Sequence, residues 1–346
     1  MQIAIFIFAL MTMIILHECG HFVAAKLCGM RVEKFFLFFG RPLISKTIGE
    51  TQYGIGWLPA GGFVKISGMT RDEEIPEELR GKAYYAAPTW KRLVVIFAGP
   101  AVNIVCAFAL FFAFYMDGVP RVENRIAEVT PASAAASVGI MEGDLLIAVN
   151  EAQVSGNDPR SLQQELVESA GAEATITILR DGSERSLDVV LDGGEGQPAL
   201  GVVFATRNQS LGFTRSLSAS GLTMIEQTKI IGASMAELLH SSEAREQLTT
   251  IVGITAYYEE AEILGLALFY IASISFLLGL FNLIPLLPLD GGHIVIAVVE
   301  KVRGGPFSAR VYTGAALVGI AIMMLGMVFG ISNDIGRITG EGFQLE

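Results

Sequence analysis

Four long apolar runs constrain the fold of this chain more than any other feature of its sequence. They cover about Ile3–Leu27, Leu93–Met116, Leu264–Leu289 (with apolar character continuing towards Val299) and Val311–Ile331. Each run is near the ~20 residues that a helix needs to cross the hydrocarbon of a bilayer. Charged residues make up 17% of the chain, below the ~25% of soluble domains, so we interpret the runs as membrane spans.

The first run could instead be a cleaved signal peptide. However, it has no basic segment before Ile3 and no small-residue cleavage site, and it contains His17, Glu18 and His21. These features are not those of a signal peptide, so we expect a permanent span.

The distribution of charge predicts which segments face the cytoplasm. Residues 26–92 hold eleven Lys and Arg, and the short link 300–310 holds three more. Basic residues close to span ends favour the cytoplasmic side, so both segments are expected inside and residues 117–262 outside. The net charge of −11 argues against nucleic acid as a partner, because nucleic-acid binders carry a dense basic surface.

The segments between the runs differ in character. Gln52–Ile66 is apolar and broken by glycines, which predicts a β-hairpin dipping beside the spans, although a plain surface hairpin fits the same residues. Residues 122–192 alternate strand-like runs with one helical segment, Pro159–Ala170, and predict one small α+β domain. Residues 208–250 predict an amphipathic helix. The strand-like runs are Ile126–Val129, Leu145–Val149, Thr175–Leu179 and Ser186–Leu191.

The first run carries the pattern H-E-x-x-H, from His17 to His21. Residues four apart share a helix face, so both imidazoles can reach one Zn²⁺, and Glu18 can reach a water on that ion. The metal lowers the pKa of the water towards about 7, and the carboxylate takes its proton as a carbonyl is attacked. Three ionisable side chains inside a span are costly without such a function.

Two histidines do not complete a catalytic zinc site, which normally has three protein ligands. The segment Asn282–His293 interrupts the third run with two prolines and two glycines and places Asp290 among apolar residues. A carboxylate there indicates a cation, and zinc would explain it. A buried pair between Asp290 and His293 is the alternative that these residues leave open.

Together these motifs resemble the site-2 protease family, and most closely the bacterial branch typified by the regulator-of-sigma-E protease. The resemblance rests on the H-E-x-x-H motif, on Phe97–Asn103 in the second run, on Asn282–His293 and on Gly61–Lys65. It extends to the outer domain, where Pro131–Ala135 and Val138–Asn150 look like parts of a PDZ domain.

The resemblance implies an enzyme that hydrolyses peptide bonds in or near the spans of membrane proteins. Zinc would be held by His17, His21 and Asp290, with Glu18 as the catalytic base. Asn282 would engage the backbone of the substrate. The glycine-rich hairpin, with Gly61, Gly62 and Phe63, would pair with the unwound substrate by strand addition. Implied substrates are single-span proteins such as anti-sigma factors, or remnant signal peptides.

The predicted architecture is an α-helical polytopic membrane protein with four transmembrane helices, a membrane-associated β-hairpin and an inserted small α+β PDZ-like domain. Its expected parts are helices 1 and 2 with the hairpin (1–121), the PDZ-like domain (122–192), an amphipathic juxtamembrane segment (193–262), and helices 3 and 4 (263–346). The resemblance implies a bacterial inner membrane, with the PDZ-like domain on the outer side. Two departures stand out: family members often carry two PDZ domains, and a Gly-Pro pair common before the third span is absent.

Two other classes of protein share some of these features. A transporter would also keep ionisable residues inside its spans, but it predicts internal repeats, and none relates the first two runs to the last two. A membrane scaffold bearing a PDZ domain would leave the histidines, Glu18 and Asp290 unexplained.

Overall fold

The protein is described by a computed structural model covering residues 2–69, 73–150, 152–153, 165–192, 200–241 and 266–339. The chain divides into two compact units. The first combines Met1–Tyr115 with Phe213–Glu346, and the second is the continuous segment Met116–Gly212.

The elements alternate between long helices and two separate sheets. The helices are α1 (Gln2–Leu27), α2 (Thr89–Asp117), α3 (Ala134–Ser137), α4 (Phe213–His240), α5 (Ala267–Asn282), α6 (Asp290–Arg303) and α7 (Ala309–Thr339). The strands are β1 (Val32–Ile48), β2 (Thr51–Ile66), β3 (Val119–Val129), β4 (Leu145–Val149), β5 (Ala152–Gln153), β6 (Glu173–Arg180), β7 (Ser183–Val190) and β8 (Val202–Gln209). Short 3₁₀ helices cover Glu77–Lys82 and Tyr84–Ala86.

Within the described residues, three helices are long and apolar enough to cross a membrane: Ala4–Leu27, Thr89–Asp117 and Ala309–Gly336. The third predicted span is divided into α5, of 16 residues, and α6. Pro285 and Pro288 lie between them and lack the amide hydrogen that a continuing helix would need. The described residues therefore contain three candidate spans, and the count of four stays a prediction.

Helices α1 and α2 approach each other closely at the depth of the H-E-x-x-H motif. A Cβ added to Gly20 would lie 2.5 Å from the carbonyl oxygen of Ala98, and one added to Gly99 would overlap the ring of His21. Glycine at both positions lets the two backbones come together. The motif therefore faces α2 instead of lipid.

The predicted hairpin is part of a larger sheet than the sequence suggested. Residues 34–37 of β1 pair with residues 62–65 of β2 on one side and with residues 52–55 on the other, because β2 bends back at its glycines. The Phe-rich start of β1 was not predicted as a strand. Large apolar side chains are exposed on this sheet, at Leu43, Ile44 and Trp57.

The second unit is built on an antiparallel sheet in the order β7-β6-β4-β3-β8, with β5 paired to β4. Its core consists of buried apolar side chains, among them Ile126 of β3, Leu146 of β4, and Ile176 and Ile178 of β6. All four predicted strand-like runs fall in strands β3, β4, β6 and β7, with Leu191 just outside β7. Most of the predicted helix Pro159–Ala170 lies outside the described residues, and residues 165–168 are helical. Strand β8, which pairs with β3, was not predicted.

An ion pair between the buried Asp144 and the partly exposed Arg180 fixes the loop between α3 and β4. The carboxylate of Asp144 is 2% exposed and accepts hydrogen bonds from Arg180 Nε at 2.7 Å and Arg180 Nη2 at 2.6 Å. It also accepts from the backbone N–H of Met141. The Arg180 guanidinium holds the pKa of Asp144 below its usual value. The pair therefore stabilises the fold wherever Asp144 is ionised.

We predict that Asp144→Asn lowers the thermal unfolding midpoint of the fragment 116–212 by roughly 5 °C or more. Because the folded-state pKa is depressed, the stabilisation is complete above the ordinary aspartate pKa, near pH 4, and is lost as pH falls through the lower folded value. Calorimetry between pH 7 and pH 2 tests this. Glu142→Gln removes an exposed charge from the same loop and serves as control; equal midpoints for the two variants would contradict the prediction.

Candidate metal centre

Three side chains from two helices converge at one point in the first unit. His17 Nε2, His21 Nε2 and Asp290 Oδ2 form a triangle in which each pair of atoms is 3.2 Å apart. Both histidines are buried, and Asp290 is partly buried. Within the described chain, this is the group of side chains that could hold a metal ion.

The outer nitrogens of the two imidazoles are held by α2. His21 Nδ1 lies 2.8 Å from the carbonyl oxygen of Val95, which fixes the Nδ1–H tautomer and leaves a lone pair on Nε2. His17 Nδ1 lies 3.3 Å from the side-chain amide of Asn103. Neither Val95 nor Asn103 was predicted from the sequence to have a role at this site. The Phe97–Asn103 motif was the only signal for the latter.

Asp290 is placed by the interrupted segment between α5 and α6. It is the first residue of α6, directly after a turn that contains both prolines. A Cβ on Gly291 would overlap the carbonyl oxygens of Leu283 and Ile284, so the turn can close this tightly only with glycine. The two glycines after Asp290 therefore serve the fold of the turn that delivers the carboxylate.

The geometry of the triangle fits a tetrahedral metal ion. Ligand bonds of about 2.0–2.1 Å require about 3.3–3.4 Å between ligand atoms, close to the spacing in the triangle. Asp290 Oδ2 is buried and, among the described residues, has no hydrogen-bond donor. A lone pair of His21 faces this charged oxygen, an arrangement that a cation stabilises. Three protein ligands with one open position are typical of catalytic zinc.

Glu18 lies in a cavity of about 260 Å³ beside this triangle. The backbone N–H of Val64 on β2 faces this carboxylate, and Val64 lines the same cavity. The side chain therefore belongs to the same site as the histidines without being part of the triangle. The cavity is lined by His17, Glu18, His21, Phe63, Val64, Ile66, Met69, Ile96, Asn282, Pro288 and Asp290.

Of the four residues predicted to contact substrate, two line this cavity and two do not. Asn282 lines it, while its Nδ2 donates to the carbonyl oxygen of Leu278. Phe63 also lines it and stacks on Phe36. A Cβ on Gly62 would lie 3.3 Å from Glu18 Cγ, so this backbone passes directly beside the carboxylate. Gly61 lies within β2, has a φ of 134° and is not among the residues that line the cavity.

His293, the alternative partner of Asp290, is engaged elsewhere. Its Nδ1 lies 2.7 Å from the hydroxyl of Tyr312 on α7. Asp290 instead contacts the two histidines of α1. The structure therefore does not support an isolated pair between Asp290 and His293.

Comparison with known proteins identifies the family. The profile of peptidase family M50 matches residues 5–326. The chain belongs to this family. It is also 30% identical to the zinc metalloprotease Rip1 of Mycobacterium tuberculosis, over 91% of this chain and 89% of that protein. A candidate zinc metalloprotease of Brucella suis is 30% identical over 95% of this chain and 94% of its own length. One of Campylobacter jejuni is 29% identical over 95% and 92%.

Family membership confirms several predictions made from the sequence. The site-2 protease resemblance is confirmed, as is the prediction of a zinc metalloprotease, since family M50 comprises the site-2 proteases. Zinc as cofactor agrees with the names of the relatives. The apolar helices and the family together indicate a membrane-embedded protein that acts on membrane proteins.

Proposed function

We propose that this chain is an intramembrane zinc endopeptidase in which His17, His21 and Asp290 hold the metal. The observation that carries the proposal is the triangle of three ligand atoms 3.2 Å apart, with Asp290 Oδ2 buried and lacking a donor among the described residues. Such a carboxylate at membrane depth is costly without a cation. When bound, zinc supplies a Lewis acid that acidifies water and polarises the scissile carbonyl.

Glu18 acts as the general base in this proposal. Its carboxylate lies in the same cavity as the ligands, next to the backbone of Val64. From this position it takes a proton from the attacking water and passes it to the nitrogen of the leaving amine. Since Glu18 is not part of the triangle, its charge acts on the reacting groups and is not needed to retain the metal.

We predict that Glu18→Gln lowers proteolysis by roughly 10²–10⁴-fold, the usual weight of a general base, with zinc still bound. Asp290→Ala should instead lose zinc, because only two protein ligands would be left. Metal analysis of the purified variants, alongside cleavage of a membrane substrate, makes the comparison.

His293→Ala is the matched control, since it lies one helical turn after Asp290 and is bonded to Tyr312. It is expected to keep zinc. Full zinc occupancy in Asp290→Ala would remove this residue from the ligand set, and loss of zinc in Glu18→Gln would contradict its assignment as base.

The edge of β2 offers a place for an extended substrate. Residues 62–65 pair with β1 on one side only, and no described strand pairs with their other edge. We infer that the backbone N–H of Val64, which faces the Glu18 side chain, is directed to that free edge. Backbone groups alternate along an antiparallel strand, so Gly62 also directs its N–H outward. We propose that the substrate adds as a strand here, with Phe63 and Asn282 lining the cavity beside it.

We predict that Gly62→Pro, which removes this outward N–H, lowers kcat/KM by about 3–10-fold, equivalent to ~0.7–1.4 kcal/mol for one lost hydrogen bond. Gly62→Ala keeps the N–H and controls for the added Cβ. Zinc content should be unchanged in both. Equal activity of the proline and alanine variants would argue against strand addition at this edge.

We further propose a multi-pass protein of a bacterial inner membrane, with four spans, in which residues 26–92 face the cytoplasm. The basic residues of this segment and of the link 300–310 support this orientation. Residues 116–212, proposed to be a PDZ-like domain, would then be external. Substrates would be single-span proteins, such as trimmed anti-sigma factors or remnant signal peptides.

We predict that a membrane-impermeant thiol reagent labels Ser183→Cys but not Glu74→Cys in intact spheroplasts. Both positions are exposed, and the three native cysteines are first replaced by alanine. Lysis should make Glu74→Cys reactive, which controls for its accessibility. The reverse pattern in intact cells would invert the proposed topology.

A further inference from the structure

The amide of Asn103 lies directly behind the imidazole of His17. Asn103 is fully buried on α2, and its Nδ2 is 3.3 Å from His17 Nδ1. Its Oδ1 is also buried and has no hydrogen-bond partner in the part of the chain that the structure describes. Buried acceptors are nearly always satisfied, so this oxygen requires an explanation.

Packing between α2 and α5 holds Asn103 in place. Ser275 Oγ donates to the backbone carbonyl of Asn103 at 3.0 Å, and Ser275 is itself fully buried. A Cβ on Gly279 would lie only 3.2 Å from Asn103 Cβ, so the two helices are in close contact here. The amide is confined beside His17, and the remaining freedom is an exchange of its oxygen and nitrogen.

The proton on His17 decides which end of the amide must face it. His17 directs Nε2 towards Asp290, so ligation at that atom leaves the proton on Nδ1. His21 shows the same arrangement, with Nδ1 directed at the Val95 carbonyl, an acceptor. An NH₂ group cannot accept the proton of His17. Exchanging the amide ends, which have nearly the same shape, gives His17 Nδ1–H an acceptor and gives Oδ1 a donor. Nδ2 then occupies the buried position that has no partner among the described residues, so the exchange is favoured by the proton on His17 alone.

We propose that Asn103 is a positioning residue whose Oδ1 accepts a hydrogen bond from His17 Nδ1–H and so holds His17 in the tautomer that binds zinc through Nε2. Asn103 would thus do for His17 what the Val95 carbonyl does for His21. The inference rests on the proposed role of His17 as a ligand. Residues that orient metal-bound histidines in this way typically contribute about 10–100-fold in metal affinity.

Zinc affinity of the purified full-length protein tests the proposal, measured by competition with a chelator of known affinity. Asn103→Leu has a similar volume but no acceptor, and its zinc Kd should rise roughly 10–100-fold. Asn103→Ala, prepared alongside in case leucine prevents folding, should behave in the same way. Asn103→Asp keeps an acceptor at the same place, so its zinc Kd should stay within about threefold of the parent.

Ser275→Ala is the packing control. It deletes a buried hydrogen bond to the backbone of Asn103 but leaves the amide, so the zinc Kd should not change. Thermal unfolding of the metal-free proteins confirms that each variant is folded. The proposal is overturned if the leucine and alanine variants bind zinc as tightly as the parent, if Asn103→Asp is weakened as much as they are, or if Ser275→Ala is weakened equally.

His17→Ala, measured in parallel, separates this inference from the function on which it rests. If His17→Ala keeps the parent's zinc affinity, the ligand assignment itself is wrong and the role of Asn103 falls with it. If His17→Ala loses zinc while Asn103→Leu does not, only the role of Asn103 is wrong.

Discussion

The structure depends on one contact, in which the carboxylate of Asp290 meets two imidazoles of α1. Its Oδ2 is 3.2 Å from Nε2 of both His17 and His21, in surroundings where the charged form is costly. Breaking such a buried set by removing one member leaves the others uncompensated. A divalent cation satisfies all three atoms at once. Helices α1 and α6 are far apart in the sequence, so they must be placed accurately relative to each other. Much of the packing in the first unit fixes their relative position.

Two features fix the position of α6, one at each end. At its start, Gly291 lets the turn after α5 close tightly and deliver Asp290. Near its end, Arg92 of α2 forms an ion pair of 2.9 Å with Glu300, and both side chains are almost buried. Helix α2 also carries the groups that contact the outer nitrogens of the histidines. It therefore contacts both the histidines of α1 and the helix that begins at Asp290. The position of Asp290 relative to α1 is thus set through α2 and not by direct packing alone.

Features that depend on residues close together in the sequence could be predicted, whereas most contacts between distant segments could not. The shared face of His17 and His21 follows from helical periodicity, and strands β4 and β6 follow from alternation within a few residues. Asp290 was found because a carboxylate among prolines and glycines in an apolar run is unusual. The contact between the Val95 carbonyl and His21 could not be predicted, because every residue has a backbone carbonyl and the sequence does not distinguish one from another. The strand Val32–Ile48 was not predicted, because its Phe-rich start directly follows the first span. This start also lies between two separate parts of β2, residues 52–55 and 62–65, an arrangement that the sequence does not indicate.

The link between Glu18 and β2 adds a condition to catalysis by this site. The backbone of Val64, which lies next to the Glu18 carboxylate, belongs to the strand whose free edge we propose for the substrate. In the proposed mechanism, both the substrate and Glu18, the proposed base, lie against the backbone of β2, so a displacement of this strand alters the surroundings of both. The spacing between the base and the scissile bond is then fixed by strand geometry, which tolerates different side chains along the substrate. In the proposed function, selection among substrates depends on how readily a segment becomes extended at the site, and on groups outside the cavity, more than on a pocket for one side chain.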